Sequence, residues 1–329
     1  MNSFTDIGQF RNVVKAVKEH HDYKGKDENE SPIYIHDIPY PILKFRGTAK
    51  LHGTNSAIVK FKDGHYEYES RERILSIKED NNGFMMAMLN VDVASLFDGI
   101  KFEEHCAIFG EWCGKGIQKG MAISNLPKMW VIFAVKIDSV YQDMANYAHL
   151  KMEDKRIFNI MQFPGFEIEI DFNTPEIAQN RLQQLTLDVE AQCPIGKYFG
   201  VEGIGEGIVW EYVKDKERFI FKVKGEKHQN SKVRTLATVD VEAIQNLRDF
   251  AEYAVTENRC KQGLDKMKEL GVPLVLEHTG DYLRWIYNDV IKEEQDTIVK
   301  NQLEVKKLGG FISAKAKIFW MKYLNDLPL

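Results

Sequence analysis

The sequence predicts an α+β protein with a mainly antiparallel domain over residues 1–230 and an all-helical domain over residues 231–329. From about Ile33 to Lys224, apolar residues recur in short alternating runs broken by Gly and Asp turns, which is the period of strands. After about Ser231 the period becomes helical, with Ile244, Leu247, Phe250, Ala251 and Ala254 forming one stripe behind Asp240, a residue able to cap a helix. The polar run His228 to Lys232 marks the boundary between the two patterns.

The elements follow in order. Phe10 to Val17 reads as a short amphipathic helix, and Ile42 to Ala49 as a strand. Ala57 to Lys62 and His65 to Ser70 flank Asp63-Gly64, the signature of a two-residue type I′ hairpin. That loop would pair Lys62 with His65 and place Arg71 opposite Ser56, beside Asn55. Cys106 to Gly110 and Trp130 to Ile137 are apolar enough to be buried strands, while Asp92 to Phe97 and Thr174 to Leu187 carry helical signals. A strand entered at Glu206 returns through Lys214 to Glu217 into a second strand, Arg218 to Lys224. In the C-terminal part, Gly271-Val272-Pro273 stops one helix. Thr279 to Lys307 and Ser313 to Leu327 form two more, punctuated by Gly309-Gly310.

With 44% hydrophobic and 28% charged residues among 329, the chain can bury one large core or two moderate ones. No apolar run approaches the ~20 residues of a membrane span, and Met1 to Phe10 lacks the pattern of a secretion signal. The four cysteines, Cys106, Cys113, Cys193 and Cys260, are scattered, which points to free thiols in a reducing compartment. His105 with Cys106 and Cys113 lacks a fourth zinc ligand at matching spacing. A cytoplasmic monomer is expected. The net charge of −5 argues mildly against nucleic acid as a partner. Basic residues nevertheless bunch at Lys222, Lys224, Lys227, Lys232 and Arg234, and again at Lys300, Lys306, Lys307, Lys315, Lys317 and Lys322.

Lys50, in Lys50-Leu51-His52-Gly53-Thr54-Asn55, stands directly after the strand ending at Ala49, next to a glycine that could admit another molecule to the backbone. A lysine amine becomes a nucleophile when burial or neighbouring cations favour its neutral form. Lys222 and Lys224, two apart on one strand, share a face and call for an anion between them. A two-residue turn at Asp215-Lys216 would pair Lys224 with Gly207 and turn Glu206 away from that face. An odd-length loop is therefore expected. Glu111, at a strand exit near glycines, suits a ribose hydroxyl, and Phe133 could stack on a purine.

Together these segments resemble the covalent nucleotidyltransferase superfamily of polynucleotide ligases and capping enzymes. Lys50-Leu51-His52-Gly53 is similar to its KxxG nucleophile motif. Ser70-Arg71, Phe109-Gly110-Glu111, Trp130 to Phe133, Glu206-Gly207 and Lys222-Val223-Lys224 resemble its later motifs, in order. The likeness is greatest to the bacteriophage RNA ligase 2 family, which includes RNA-editing ligases. His52-Gly53-Thr54-Asn55, Gly114 followed by Gly116-Ile117-Gln118-Lys119, the helical C-terminal domain, and Tyr253 to Arg259 within it carry that likeness. Trp210-Glu211-Tyr212 and the short spacing from Glu206 to Lys222 depart from it.

The resemblance implies a nucleotidyltransferase (ATP-grasp-like ligase) domain followed by an RNA-binding helical domain. It implies an ATP-dependent RNA ligase for RNA repair, sealing 3′-hydroxyl and 5′-phosphate ends at nicks in duplex RNA. AMP would become covalently attached to Lys50, with Mg²⁺ or Mn²⁺ held by Glu206. Lys222 and Lys224 would neutralise the α-phosphate, and Glu111 and Phe133 would hold ribose and adenine. Arg71 would serve the joining step, with His52 and Asn55 assisting. An ATP-dependent DNA ligase, a capping-type nucleotidyltransferase and a non-ligating RNA- or nucleotide-binding protein are the alternatives.

Overall fold

The computed structural model of the protein describes residues 4–28, 30–35, 39–225 and 241–326. These fall into two compact units. The first takes the described residues of Met1–Val17, Ile42–Phe172 and Ala178–Ala237, and the second those of Lys18–Pro41, Asn173–Ile177 and Thr238–Leu329. The boundary expected near Ser231 lies outside the described residues, as do Asp240, Lys227, Lys232 and Arg234.

The chain begins with α1 (Phe10–Asp22) and the antiparallel pair β1 (Tyr23–Lys26) and β2 (Pro32–Tyr34). Next come β3 (Ile42–Ala49), β4 (Gly53–Phe61), β5 (Tyr66–Ser70), α2 (Phe84–Met88), β6 (His105–Cys113), β7 (Met129–Ile137), β8 (Val140–Tyr141), β9 (Ile157–Asn159) and β10 (Phe166–Asp171). After α3 (Ala178–Ala191) and α4 (Pro194–Tyr198), the hairpin β11 (Gly207–Lys214) and β12 (Glu217–Lys224) completes the first unit. One sheet has the antiparallel order β10-β3-β11-β12. The other runs β5-β4-β6-β7-β8, with β9 parallel to β7.

Alternation along the strands decides what each sheet buries. On the second sheet, Ile58, Ile108, Trp130 and Ile132 pack with Phe84, Met88, Leu96 and Phe97. Its opposite face carries Ala57, Val59, Ala107, Phe109 and Ala134, covered by Phe4. On the first sheet, Phe45 and Phe221 are fully buried and their rings meet at 5.4 Å, while Lys44, Arg46, Thr48, Lys222 and Lys224 line a cleft. Gly110 is required by packing, because a Cβ there would lie 2.3 Å from the Trp130 indole nitrogen.

Both hairpins depart from the expected loop lengths. In the first, Ser70 pairs with Ser56 and the Phe61 N–H donates to the His65 carbonyl, so the loop is Lys62-Asp63-Gly64. A type I′ turn needs positive φ at both central residues. Gly64 has it at 91°, but Asp63 does not, and its carboxylate instead accepts the His65 N–H. In the second, Asp215 and Lys216 both have positive φ (50° and 72°), and the two-residue loop pairs Gly207 with Lys224. The expected odd loop is wrong.

The helical elements of the second unit are α5 (Val241–Ala254), α6 (Glu257–Glu269), α7 (Thr279–Glu293), α8 (Gln295–Lys300) and α9 (Val305–Asn325). Of the predicted stripe, Leu247, Phe250, Ala251 and Ala254 are buried with Tyr282, Ile286, Leu308, Ile312 and Trp320, while Ile244 is half-buried. Gly309-Gly310 does not divide the last helix as expected. Leu308, Ile312, Ala316 and Trp320 bury one continuous face through it, and that packing outweighs the ~1 kcal/mol cost of each glycine. The Asp92 to Phe97 signal corresponds to a 3₁₀ turn at Val93–Phe97, and the Thr174 to Leu187 helix begins only at Ala178. Among the described residues no helix is long and apolar enough to cross a membrane.

Candidate functional site

Lys50 lies in the three-residue connection that carries the chain from β3 of one sheet to β4 of the other. Leu51 is buried in the core and anchors this connection, leaving Lys50 and His52 to turn the other way together. Both meet Glu206. Lys50 Nζ donates to Glu206 Oε2 at 2.8 Å, and His52 Nδ1 lies 3.2 Å from the same oxygen. Lys224 takes the other oxygen, Oε1, at 2.7 Å. The Lys50 backbone N–H donates to the Gly207 carbonyl, fixing the lysine against the start of β11.

Glu206 reaches the lysines despite the two-residue loop because it precedes the ladder. Gly207 begins β11 at φ 148°, a conformation that interrupts side-chain alternation and that glycine adopts without strain. A Cβ there would also strike the Val223 carbonyl at 2.2 Å. Gly53 of the lysine motif lines the cleft and also serves packing. The space where its Cβ would stand is filled by β6, with the Trp112 carbonyl 2.3 Å away.

Two carboxylates here have opposite environments. Burial pushes the Glu206 carboxyl up, but the Lys50 and Lys224 ammonium groups outweigh it and hold the group at about 2. Burial dominates at Glu111 and raises it to about 7, with Lys50 and the Gly53 N–H only partly offsetting it. Lys222 is lowered, by burial first and then by Lys224, Lys50 and Arg71.

The cleft has a volume of about 710 Å³, within the usual range for small-molecule sites. Lys50, Asn55, Arg71, Glu111, Phe133, Lys222 and Lys224 all line it. Asn55 and Glu111 are cross-strand partners on β4 and β6. Arg71 follows β5 and lies 3.6 Å from Asp6. His52 and Glu206 are not among the lining residues. Glu206, its side chain only 5% exposed, sits behind the lysines.

Sequence reasoning missed Phe4 and Ile7, which line the cleft, and the ion pairs at its other end, Arg46–Asp143 at 3.0 Å and Arg218–Glu211 at 2.6 Å. Alternation on β3 and β12 could have placed Arg46 and Arg218 on the face of Lys222. No local signal brings Phe4 there.

For a divalent cation, Glu206 supplies one fully ionised hard oxygen ligand, both of whose oxygens already hold ammonium groups. Among the described residues no group of three or more His, Cys, Asp or Glu side chains could form a protein cage. Mg²⁺ takes few protein carboxylates and fills its remaining positions with phosphate oxygens and water, so Glu206 would fit it only once the Lys50 ammonium has moved off Oε2.

A lysine amine, further cations that include Arg71, Lys222 and Lys224, and an aromatic ring line one cleft, an arrangement with the chemistry to receive a phosphorylated ligand. The sequence profile of the RNA ligase family matches residues 43–224, and the chain belongs to that family. Among solved structures it is similar to Naegleria gruberi RNA ligase with PPi, at 17% identity over 69% of this chain and 56% of that one, TM-score 0.46. It is also similar to a mutant of that ligase with ATP and Mn (15%, 69% and 57%, TM-score 0.45) and to another with AMP and Mn (15%, 70% and 59%, TM-score 0.47). The chain thus spans little more than half the length of these proteins. No curated protein matches its sequence.

Proposed function

We propose that the protein is an ATP-dependent RNA ligase that joins 3′-hydroxyl and 5′-phosphate ends through a lysyl-AMP intermediate, acting on nicks in duplex RNA as a cytoplasmic monomer. The observation that carries this reading is the position of Lys50, at the edge of a cleft and surrounded by Arg71, Lys222 and Lys224. Within the family, His52-Gly53-Thr54-Asn55 and the helical second unit favour a place with the phage RNA ligase 2 and RNA-editing ligase group.

In the first step Lys50 Nζ attacks the α-phosphorus of ATP. A P–N bond forms, the P–O bond to pyrophosphate breaks with its electron pair leaving on pyrophosphate, and the protons shed by the amine pass to water. Glu206, held at about 2, is a poor proton acceptor, so its part is to aim the amine rather than deprotonate it. Attack requires the 2.8 Å pair between them to open. Lys222 and Lys224 stabilise the charge that builds on the phosphate oxygens. Glu206 would hold the Mg²⁺ or Mn²⁺, which when bound supplies further neutralisation of phosphate charge. Near its titration point at neutral pH, Glu111 can accept from or donate to a ribose hydroxyl, and Phe133 offers a ring to adenine. In the second step an RNA 5′-phosphate oxygen attacks the adenylate phosphorus and releases Lys50. In the third, the 3′-hydroxyl attacks the 5′-phosphorus and AMP leaves, with Arg71 on the RNA phosphate and His52 and Asn55 assisting.

The test is incubation with α-labelled ATP and Mg²⁺, followed by matched nicked duplexes carrying ribose or deoxyribose at the 3′-hydroxyl end. The account expects a labelled protein and preferential sealing of the ribose nick. An unlabelled protein would remove the enzyme reading, and equal sealing of the DNA nick would replace RNA ligase by DNA ligase.

A further inference from the structure

The segment Phe4–Gly8 was invisible to motif reasoning, yet it runs along the cleft and makes a distinct tie at nearly every residue. Phe4 is 6% exposed and sets its ring edge-on to Phe133, centroids 5.0 Å apart at 77°. It also packs on Phe109 at 5.4 Å and Tyr141 at 5.6 Å. The Thr5 hydroxyl donates to the Tyr141 hydroxyl at 2.8 Å and accepts from Arg218 Nη1 at 3.1 Å. Asp6 faces Arg71, Ile7 lines the cleft, and the Gly8 carbonyl accepts the Lys222 backbone N–H at 3.0 Å.

Phe133 needs such a support. Phe109 pairs with Ala134 and Gly110 with Ile132, so Phe133 is the extra residue of a β-bulge, with no cross-strand partner on β6. A bulge re-aims a side chain but takes away the neighbour that would fix it. Phe4 meets Phe133 in the edge-to-face geometry that aromatic rings prefer. Arg218 holds Phe4 in turn, its guanidinium 4.9 Å from the Phe4 ring and 3.7 Å from that of Tyr141.

We propose that Phe4 is a positioning residue for the nucleobase, acting through Phe133: Phe4–Gly8 buttresses the bulged ring so that it meets the adenine of ATP ready-oriented. This rests on the reading of the cleft as the ATP site. Loss of the buttress should weaken ATP capture without slowing transfer, because Lys50, Lys222 and Lys224 stay in place.

The experiment measures the ATP dependence of self-labelling in the full chain, at a temperature where each variant is folded by circular dichroism. Phe4→Ala is expected to raise KM for ATP about three- to tenfold, the range of one aromatic pair, with the saturating rate within about twofold of wild type. Phe4→Leu, which restores bulk without the ring, should give a smaller increase of the same kind, and serves alone if the alanine variant does not fold. Leu182→Ala, a buried change in α3, should lower the melting temperature and leave KM unchanged. Wild-type KM in the Phe4 variants, or an equal KM rise in Leu182→Ala, would overturn the proposal. An unlabelled wild type would instead overturn the ATP reading itself.

Discussion

The two sheets that form the cleft present opposite chemistry to it. The β3-β11-β12 wall, with Lys50 at its edge, carries cations, two of which hold the lowered carboxylate of Glu206. The β4-β6-β7 wall offers Asn55, Phe133 and a carboxyl, Glu111, that is half neutral near pH 7. The same functional group is pushed in opposite directions by what surrounds it, charge on one side and exclusion of water on the other. On the proposed reading one wall takes phosphate and the other a nucleoside.

The largest expected effect comes from damaging the charged wall. Glu206→Gln leaves Lys50 and Lys224 facing each other without their shared anion, and self-labelling with ATP should fall by about two orders of magnitude or more. Removing one partner of a buried pair also destabilises the fold, by roughly 3–5 kcal/mol, so labelling is read at a temperature where the variant is folded. Lys224→Ala should lose about 10²-fold in labelling rate, the usual cost of one charge-stabilising donor. Labelling within tenfold of wild type in either variant would break the division of roles. Arg71→Ala sharpens it: labelling should persist within about threefold, while nick sealing from a preformed adenylate falls at least about tenfold. Normal sealing would remove Arg71 from the joining step.

The smallest effects concern pH, and they have opposite signs on the two walls. Glu206 is lowered from 4.5 to about 2, so its contribution to stability is present above about pH 4.5 and is lost as pH falls toward 2. Glu111 is raised from 4.5 to about 7, so its contribution is complete below about pH 4.5 and is lost as pH rises through 7. Melting temperatures of Glu206→Gln and Glu111→Gln across pH 2–9 should therefore flatten the acid limb in the first and the neutral limb in the second. If both variants changed the same limb, the contrast between the walls would fail.

Much of this was legible in the sequence, and the failures have definite physical causes. The helical stripe at Leu247, Phe250, Ala251 and Ala254 and the apolar strands at Cys106 and Trp130 needed only periodicity and burial. Lys50, Asn55, Arg71, Glu111, Phe133, Lys222 and Lys224 do come together around one cleft. Register was less accessible, because it turned on φ at single residues. Asp63 lacks the positive φ a type I′ turn demands, whereas Asp215 and Lys216 both adopt it. Glu206 found the lysines through the Gly207 conformation, which strand counting ignores. The placement of Phe4–Gly8 along the cleft could not be read at all, since long-range packing leaves no mark in local spacing.

The most direct measurement is peptide mapping, by mass spectrometry, of protein incubated with ATP and Mg²⁺. The account predicts a single acid-labile AMP adduct on Lys50, and no adduct anywhere in Lys50→Ala. AMP attached to Lys222, Lys224 or any other side chain, or none in the wild type, would contradict it.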